Sequence, residues 1–228
     1  MRLASYNIRK AFGLDWRRDP HRIVDVIGEL DADIVVLQEA DKRLGQRPGV
    51  LPLDRLQQEH GLVLARHSLN SQSHGWHGNA ILYRGEHFPT PGTERIALPA
   101  REPRGAIAAH FKMTGFIVIG AHLALTSGIR KQQLKALCAH VGNSGIPTVI
   151  AGDFNHWGRK LPVHGHEVIT PGFSFHASRR VAALDRFILC GGISAITSSV
   201  HTSLKARRAS DHLPVVLDFV ISRGHTTC

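Results

Sequence analysis

Apolar positions along the chain come in short, closely spaced runs, and several of these runs end on a polar side chain. Thr148-Val149-Ile150-Ala151 is a continuous run of strand length that stops at Gly152 and then presents Asp153 and Asn155 on either side of Phe154. Extended geometry carried through that turn points Asp153 and Asn155 one way and Phe154 back into the core. Taken alone, Gly-Asp-x-Asn is also the composition of an ordinary capped turn.

The same pattern recurs from the start of the chain. Leu3 to Ile8 predicts a strand ending at Asn7, and Asp19-Pro20 supplies the start signals of a helix whose apolar face is Ile23, Val24, Ile27 and Leu30. Ile34-Val35-Val36-Leu37 is a second strand, running into Gln38-Glu39. Strand, helix, strand implies a parallel pair with the helix on one face, so Asn7 and Glu39 emerge at the carboxyl edge where open α/β sheets bind ligands.

A short helix around Asp54 to Glu59, a strand at Leu62 to Ala65, a Ser/His/Gly-rich loop from His67 to Gly78 and a strand at Asn79 to Tyr83 follow. Arg95 to Leu98, Ala106 to Phe111 and Phe116 to Ala121 read as strands, the last two forming a hairpin that leads to His122. Ser127 is the expected N-cap of a helix to about Val141, with Ile129, Leu134, Leu137, Cys138 and Val141 buried. Trp157 to Phe173 reads as loop and short helix. Leu184 to Leu189, carrying Asp185, then Ile193 to Val200 and Leu213 to Ile221 complete the strands. Strands outnumber helices, which favours layered sheets with helices outside over a regular doubly wound fold.

Composition narrows the partners more than the fold. At 228 residues the chain suits one domain, 1–228, and the excess of 28 Lys plus Arg over 18 Asp plus Glu predicts an anionic partner. Nucleic acid, acidic lipid headgroups and small phosphorylated metabolites all satisfy that requirement. Met1 to Asn7 lacks the apolar centre of a signal peptide, and no apolar run is long enough for a bilayer span, so the expected location is cytoplasmic, with peripheral membrane attachment as a variant. A monomer is expected. Cys138, Cys190 and Cys228 are too scattered for a disulfide framework or a zinc cluster. Among 16 histidines, the His74/His77 and His164/His166 pairs read as solvated loop residues rather than metal ligands.

Six positions now stand at strand ends in a fixed order. Tyr6-Asn7-Ile8, Leu37-Gln38-Glu39, Gly120-Ala121-His122-Leu123, Gly152-Asp153-Phe154-Asn155, Leu184-Asp185-Arg186 and Ser210-Asp211-His212-Leu213-Pro214-Val215 together resemble the endonuclease/exonuclease/phosphatase superfamily, which includes deoxyribonuclease I. The resemblance runs from Asn7 to Val215 and implies a four-layer α/β sandwich with two central mixed β-sheets flanked by helices. It also implies that Glu39, Asn7 and Asp211 hold Mg²⁺ or Mn²⁺, and that Asp153 activates the attacking water. Asn155 then holds water or a phosphate oxygen, His122 donates to the phosphate, and His212, supported by Asp185, binds it. Arg104, Asn79 and Arg9 are further candidates for substrate phosphate.

Departures refine the likeness. Ala40-Asp41 stands where apurinic-site endonucleases have Thr-Lys, and His122 where they have tyrosine, while His156-Trp157 replaces the Tyr-Arg of inositol 5-phosphatases. Gly78 to Leu82, Arg101 to Gly105 and Arg207 to His212 are similar to small stand-alone bacterial members. The expected function is therefore a metal-dependent phosphodiesterase, a nuclease acting on DNA. The alternatives are a phospholipid or small phosphoester hydrolase at a membrane surface and, third, a non-catalytic binding module.

Overall fold

The structure is a computed structural model that describes residues 1–66, 72–100 and 105–222. The chain opens with β1 (Arg2–Asn7), α1 (Pro20–Glu29) and β2 (Ile34–Gln38), and the two strands pair in parallel, as the strand, helix, strand order requires. The Asp19 side chain accepts the Arg22 N–H at 3.0 Å, capping α1 just ahead of Pro20, and Ile23, Val24, Val26 and Ile27 are buried beneath it. There follow α2 (Leu53–His60), β3 (Leu62–Leu64), β4 (Ala80–Arg84), β5 (Gly92–Ala97), β6 (Gly105–Phe111), β7 (Phe116–His122) and α3 (Ser127–Ser144). The rest comprises β8 (Thr148–Asp153), β9 (Glu167–Ile169), β10 (Asp185–Cys190), β11 (Ile193–Val200), α4 (Ala206–Ala209) and β12 (Val215–Ile221).

The strands form two six-stranded sheets, ordered β11-β12-β1-β2-β4-β3 and β5-β6-β7-β8-β10-β9. Each carries one parallel pair, β1/β2 in the first and β7/β8 in the second, and both sheets are therefore mixed. The sheets share an inner apolar layer containing Val36, Ile81, Phe111, Phe116, Phe187 and Phe219, in which the Phe111 and Phe116 rings stack at 5.0 Å. On the far side of the first sheet, Ile23, Ile27 and Leu56 from α1 and α2 close a second layer, and Leu134, Leu137 and Val141 of α3 close a third over the second sheet. Helices outside and sheets inside give the expected four layers.

This topology gathers the polar strand ends. Parallel β1, β2, β7 and β8 end with or just before Asn7, Glu39, His122 and Asp153, and β8 leads on to Asn155. Antiparallel β10 and β12 run the other way, so the same edge receives Asp185 at the start of β10 and Asp211-His212 just ahead of β12. His122 lies beside Asp153 in register, and Asp153 beside Asp185.

Four local expectations need correction. The segment after Asn155 holds the edge strand β9 and no helix among the described residues, because Val168 pairs with Ile188 at the free side of β10. At α3, Thr126 rather than Ser127 takes the N-cap position, without a side-chain cap, and the buried face includes Arg130 and Gln133, while Ile129 and Cys138 are only half-buried. β5 begins at Gly92, ahead of the expected Arg95. His74 is buried rather than solvated, its Nε2 3.0 Å from the Leu51 N–H.

Candidate active site

Asp153 sits at the centre of the gathered edge and is 2 % exposed. The backbone bends into position at Gly152, whose φ of +152° and closeness to β7 exclude a side chain: a Cβ there would lie 1.8 Å from the Ala121 carbonyl oxygen. Asp153 Oδ1 accepts the Asn155 N–H at 2.9 Å and Oδ2 accepts the Asn7 amide at 3.1 Å. Two imidazoles face Oδ2, His122 Nε2 at 3.5 Å and His212 Nε2 at 3.6 Å. Burial alone would raise the Asp153 pKa, but the His212 and His122 charges, with the Asn155 and Asn7 donors, outweigh it and hold the carboxyl below its ordinary value.

His212 is sandwiched between two carboxylates. Its Nδ1 lies 2.8 Å from Asp185 Oδ2, which also accepts the Ser174 hydroxyl at 2.5 Å. Burial pushes the imidazole toward neutrality, yet Asp185 and Asp153 overcome that and raise its pKa to about 9. Asp185 itself, fully buried, is pushed up by that burial despite the neighbouring His212 charge. Asp153, Asp185 and His212 bring their ligating atoms within 4.8 Å of one another. His212, hydrogen-bonded to Asp185 and 3.6 Å from Asp153, links the two carboxylates in a proton-holding relay.

A second donor set lines the open side of the cleft: Glu39, Asn7 and Asp211. Glu39, just past β2, is held at a φ of +55°, and Asn155 at +49°, so the extended geometry of β8 does not carry through the turn to Asn155. Both carboxylates already attract cations, Glu39 contacting the Lys10 ammonium and Asp211 Oδ2 lying 3.5 Å from Arg9 Nε. An all-oxygen set that draws cations and leaves octahedral positions open fits a hard divalent ion better than zinc.

The cleft has a volume of about 610 Å³, and its lining adds Lys10, Lys42, Arg43, Arg47 and His77 to these groups. Asp153, Asn155, His122, His212, Glu39, Asn7 and Asp211 all meet there, with Asp185 immediately behind His212. Arg9 is placed at the border through Asp211 and lies over the Trp16 ring at 5.1 Å. Asn79 does not reach the cleft: it is 1 % exposed, and its amide donates to the Trp76 and Gly105 carbonyls at 3.2 and 3.0 Å, tying the approach to β4 onto β6. Arg104 and the rest of 101–104 lie outside the described residues.

Several supporting residues give little notice in the sequence. Ser174 is a lone serine in an irregular stretch, yet it orients Asp185. Arg186 follows the Asp185 motif and is 1 % exposed, with Nη2 donating to Gly158 and His156 carbonyls at 2.6 and 3.1 Å and Nε to the Ala183 carbonyl at 2.9 Å. It thereby fixes the segment after Asn155. Gln133 and Arg130 on α3 bind the backbone of the Leu123–Leu125 turn just past His122, the Gln133 Oε1 accepting the Ala124 N–H at 2.8 Å. Gln133, one turn before Leu137, and Arg130, one turn before Leu134, put polar groups on the apolar face, and that was the available signal.

The sequence and the fold have counterparts. The uncharacterized protein YbhP of Escherichia coli strain K12 is 31% identical over 163 residues, which is 62% of this chain and 62% of that protein. The chain thus spans less than two thirds of the length of that curated relative. An endonuclease/exonuclease/phosphatase structure from Beutenbergia cavernae superposes with a TM-score of 0.72 at 22% identity, covering 97% of this chain and 72% of that one. A mannosyl-6-phosphatase from Bacteroides thetaiotaomicron superposes with a TM-score of 0.71 at 19% identity, over 97% of this chain and 100% of that one. Residues 4–212, which include every member of the relay and the donor set, match the model of the Endonuclease/Exonuclease/phosphatase family, and the chain belongs to that family.

Proposed function

We propose that the protein is a divalent-metal-dependent phosphodiesterase that hydrolyses its ester by activated water, with DNA as the preferred class of substrate. The observation that carries this reading is the buried Asp153 carboxylate, kept anionic between two imidazoles at 3.5 and 3.6 Å on the floor of a cleft lined with oxygen donors. An anionic carboxylate in that position is suited to orient a water and take its proton as it attacks phosphorus. His212, charged at neutral pH, and His122 present N–H donors to the non-bridging phosphoryl oxygens as negative charge builds on them. Asn155 fixes the Asp153 rotamer through its backbone N–H and borders the cleft, with its side-chain amide donating to the Leu123 carbonyl at 2.9 Å and its Oδ1 left to hold water. Glu39, Asn7 and Asp211 would hold Mg²⁺ or Mn²⁺, which when bound supplies Lewis acidity at a phosphoryl oxygen.

The net charge of +10 favours a polyanionic substrate over a neutral one. Supercoiled plasmid is expected to be nicked with Mg²⁺ or Mn²⁺ and to survive in EDTA, and Asp153→Ala should lower the rate by ~10² to 10⁴. Plasmid that stays intact under every metal condition contradicts the nuclease reading.

A second reading, a phosphoester hydrolase working at a lipid surface, is favoured by the exposed Leu44, Leu125 and Trp157 side chains, of which Leu125 lines the cleft itself. Co-sedimentation with anionic vesicles and release of a phosphorylated headgroup would distinguish it. Among the described residues no helix is long and apolar enough to cross a membrane, so contact of this kind would be peripheral.

A further inference from the structure

The cleft is asymmetric. One side carries the relay and the oxygen donors, and the other is formed largely by the segment 41–49, which the reaction described above does not use. That segment is built as a small hairpin: the Lys42 N–H donates to the Pro48 carbonyl at 2.9 Å, the Val50 N–H to the Ala40 carbonyl at 3.0 Å and the Gly49 N–H to the Gln72 carbonyl at 2.7 Å. Its base is anchored by the buried Asp41, whose Oδ1 accepts the His74 N–H at 2.7 Å and whose Oδ2 accepts the Ser73 hydroxyl at 2.8 Å. The hairpin therefore starts at the residue after Ala40, two beyond Glu39, and its position relative to the site is set by buried hydrogen bonds.

Three cations of the hairpin, Lys42, Arg43 and Arg47, line the cleft with Lys10. Neither Lys42 nor Arg47 pairs with a carboxylate among the described residues, and Arg47 Nη1 instead meets His77 Nδ1 at 3.0 Å. Lys42 and Arg47 place positive charge on the same wall of the cleft, and an anion bound there offsets it. The only acid in the hairpin, Asp41, also borders the cleft, but it is buried and both its carboxylate oxygens are held, by the His74 N–H and the Ser73 hydroxyl. At about 610 Å³ the cleft is also of the size that encloses a ligand of several linked groups, well beyond one phosphate.

We propose that the 41–49 hairpin is a second anion subsite, in which Lys42 and Arg47 bind a phosphate flanking the scissile one, so that the enzyme selects nucleic acid strands bearing at least two adjacent phosphates over isolated phosphodiesters. The inference rests on the phosphodiesterase reading and adds to it the requirement for a flanking phosphate. Phosphate contacts of this type position a strand without reading its bases, so the selection is for charge spacing rather than sequence. Guanidinium and ammonium groups carried on a hairpin whose base is held by buried hydrogen bonds are charge-assisted donors to phosphate, and the guanidinium can bind it bidentately.

The test compares two substrates that differ only in the flanking phosphate: dithymidine monophosphate, and the same dinucleotide carrying a terminal phosphate. A terminal phosphate at the matching end is expected to raise kcat/KM by ~10-fold in the wild type, the value of one charge-assisted hydrogen bond. In Lys42→Ala/Arg47→Ala the ratio of the two kcat/KM values should fall to about one. Binding of a labelled single-stranded oligonucleotide in EDTA, followed by anisotropy against salt, gives a readout without turnover: the log–log slope should drop by about 0.7 for each cation removed. Circular dichroism and the Tm of the double variant check that the hairpin change leaves the fold intact.

A wild-type ratio near one, or a ratio and a salt slope that the double variant leaves unchanged, overturns the subsite. Lys42- and Arg47-dependent binding to phosphatidylglycerol vesicles without oligonucleotide binding overturns it in favour of a membrane contact. Failure of the underlying reading is separate: neither dinucleotide nor bis-p-nitrophenyl phosphate would then be hydrolysed with Mg²⁺ or Mn²⁺, while the anisotropy slope would still decide the subsite.

Discussion

Replacing the Asp185 carboxylate by an amide of the same shape, in Asp185→Asn, isolates the charge that this buried neighbour contributes to His212. The imidazole owes its pKa of about 9 to Asp185 and Asp153 acting against burial, and the nearer of the two, at 2.8 Å, is the one removed. With the amide in place, burial regains weight and the His212 pKa should fall well below 9, a change readable by NMR titration of the metal-free protein. An unshifted value would show that Asp153 alone holds the proton. On the proposed mechanism the loss of a charged donor at the phosphoryl oxygen lowers kcat by ~10² to 10³ at pH 8, with less loss at lower pH where the imidazole is again protonated. Gly152 gives a prediction of the opposite kind, on stability. An alanine Cβ would lie 1.8 Å from the Ala121 carbonyl oxygen, and only a shift of β7 against β8 can make room. Gly152→Ala should therefore destabilise the protein by about 1–3 kcal/mol or prevent folding, measured by urea denaturation.

Between the elements, polar side chains do as much to position the site as the apolar layers. Gln133 on α3 accepts the Ala124 N–H at 2.8 Å and donates to the Pro99 carbonyl at 2.9 Å, holding the turn that follows His122. Gln133→Leu keeps most of the volume and strands both partners without hydrogen bonds. A loss of about 1–3 kcal/mol is expected on urea denaturation, with a fall in kcat as His122 loosens; wild-type values for both would show that solvent or backbone replaces the amide. Strand ends at Asn7, Glu39, His122 and Asp153 are visible in the sequence because an apolar run stops on a polar group, and the strand, helix, strand order fixes β1 and β2 as parallel. Asp185 and His212 precede their strands, and only the resemblance of Leu184-Asp185-Arg186 and Ser210-Asp211-His212 to the family marks them out. Gln133, Arg130, Ser174 and Arg186 are hidden because pattern alone carries no information about the group each will meet: Ser174 meets the Asp185 carboxylate, and Arg186 the His156 and Gly158 carbonyls far back in the chain. Asn79 fails for the complementary reason. Its place beside a glycine at a strand start looks like a site residue, and only the coordinates show the amide spent on Trp76 and Gly105.

For the whole molecule, stability in the metal-free state should be greatest near neutral pH and fall in three distinguishable windows. His74, His77 and His156 have pKa values lowered by burial from 6.5, so the unfolded chain takes up their protons first as the solution is acidified. Their contribution is complete above 6.5 and is lost as pH drops below it toward their folded values. His212 acts in the reverse sense, because its raised pKa means that the folded protein keeps a proton the unfolded chain has released. Its contribution is complete below 6.5 and disappears as pH climbs to about 9. Beyond that, burial raises the Cys138 and Cys190 thiols above their ordinary 9.0, Cys190 to about 12, so the unfolded chain gains thiolate that the folded one resists and stability declines again above 9. Urea denaturation midpoints in EDTA from pH 5 to 11 resolve the windows by substitution. His212→Gln should flatten the slope between 6.5 and about 9 and leave the step above 9 in place, while the acid limb moves as the buried Asp153 and Asp185 carboxyls lose the charge that opposed their burial. Cys190→Ala should reduce only the last step, since the thiol lies at the far end of β10 from Asp185. A wild-type profile that is flat between 6.5 and 9 would mean that His212 is neutral in the folded protein, and with it would go the charged donor on which the proposed mechanism depends.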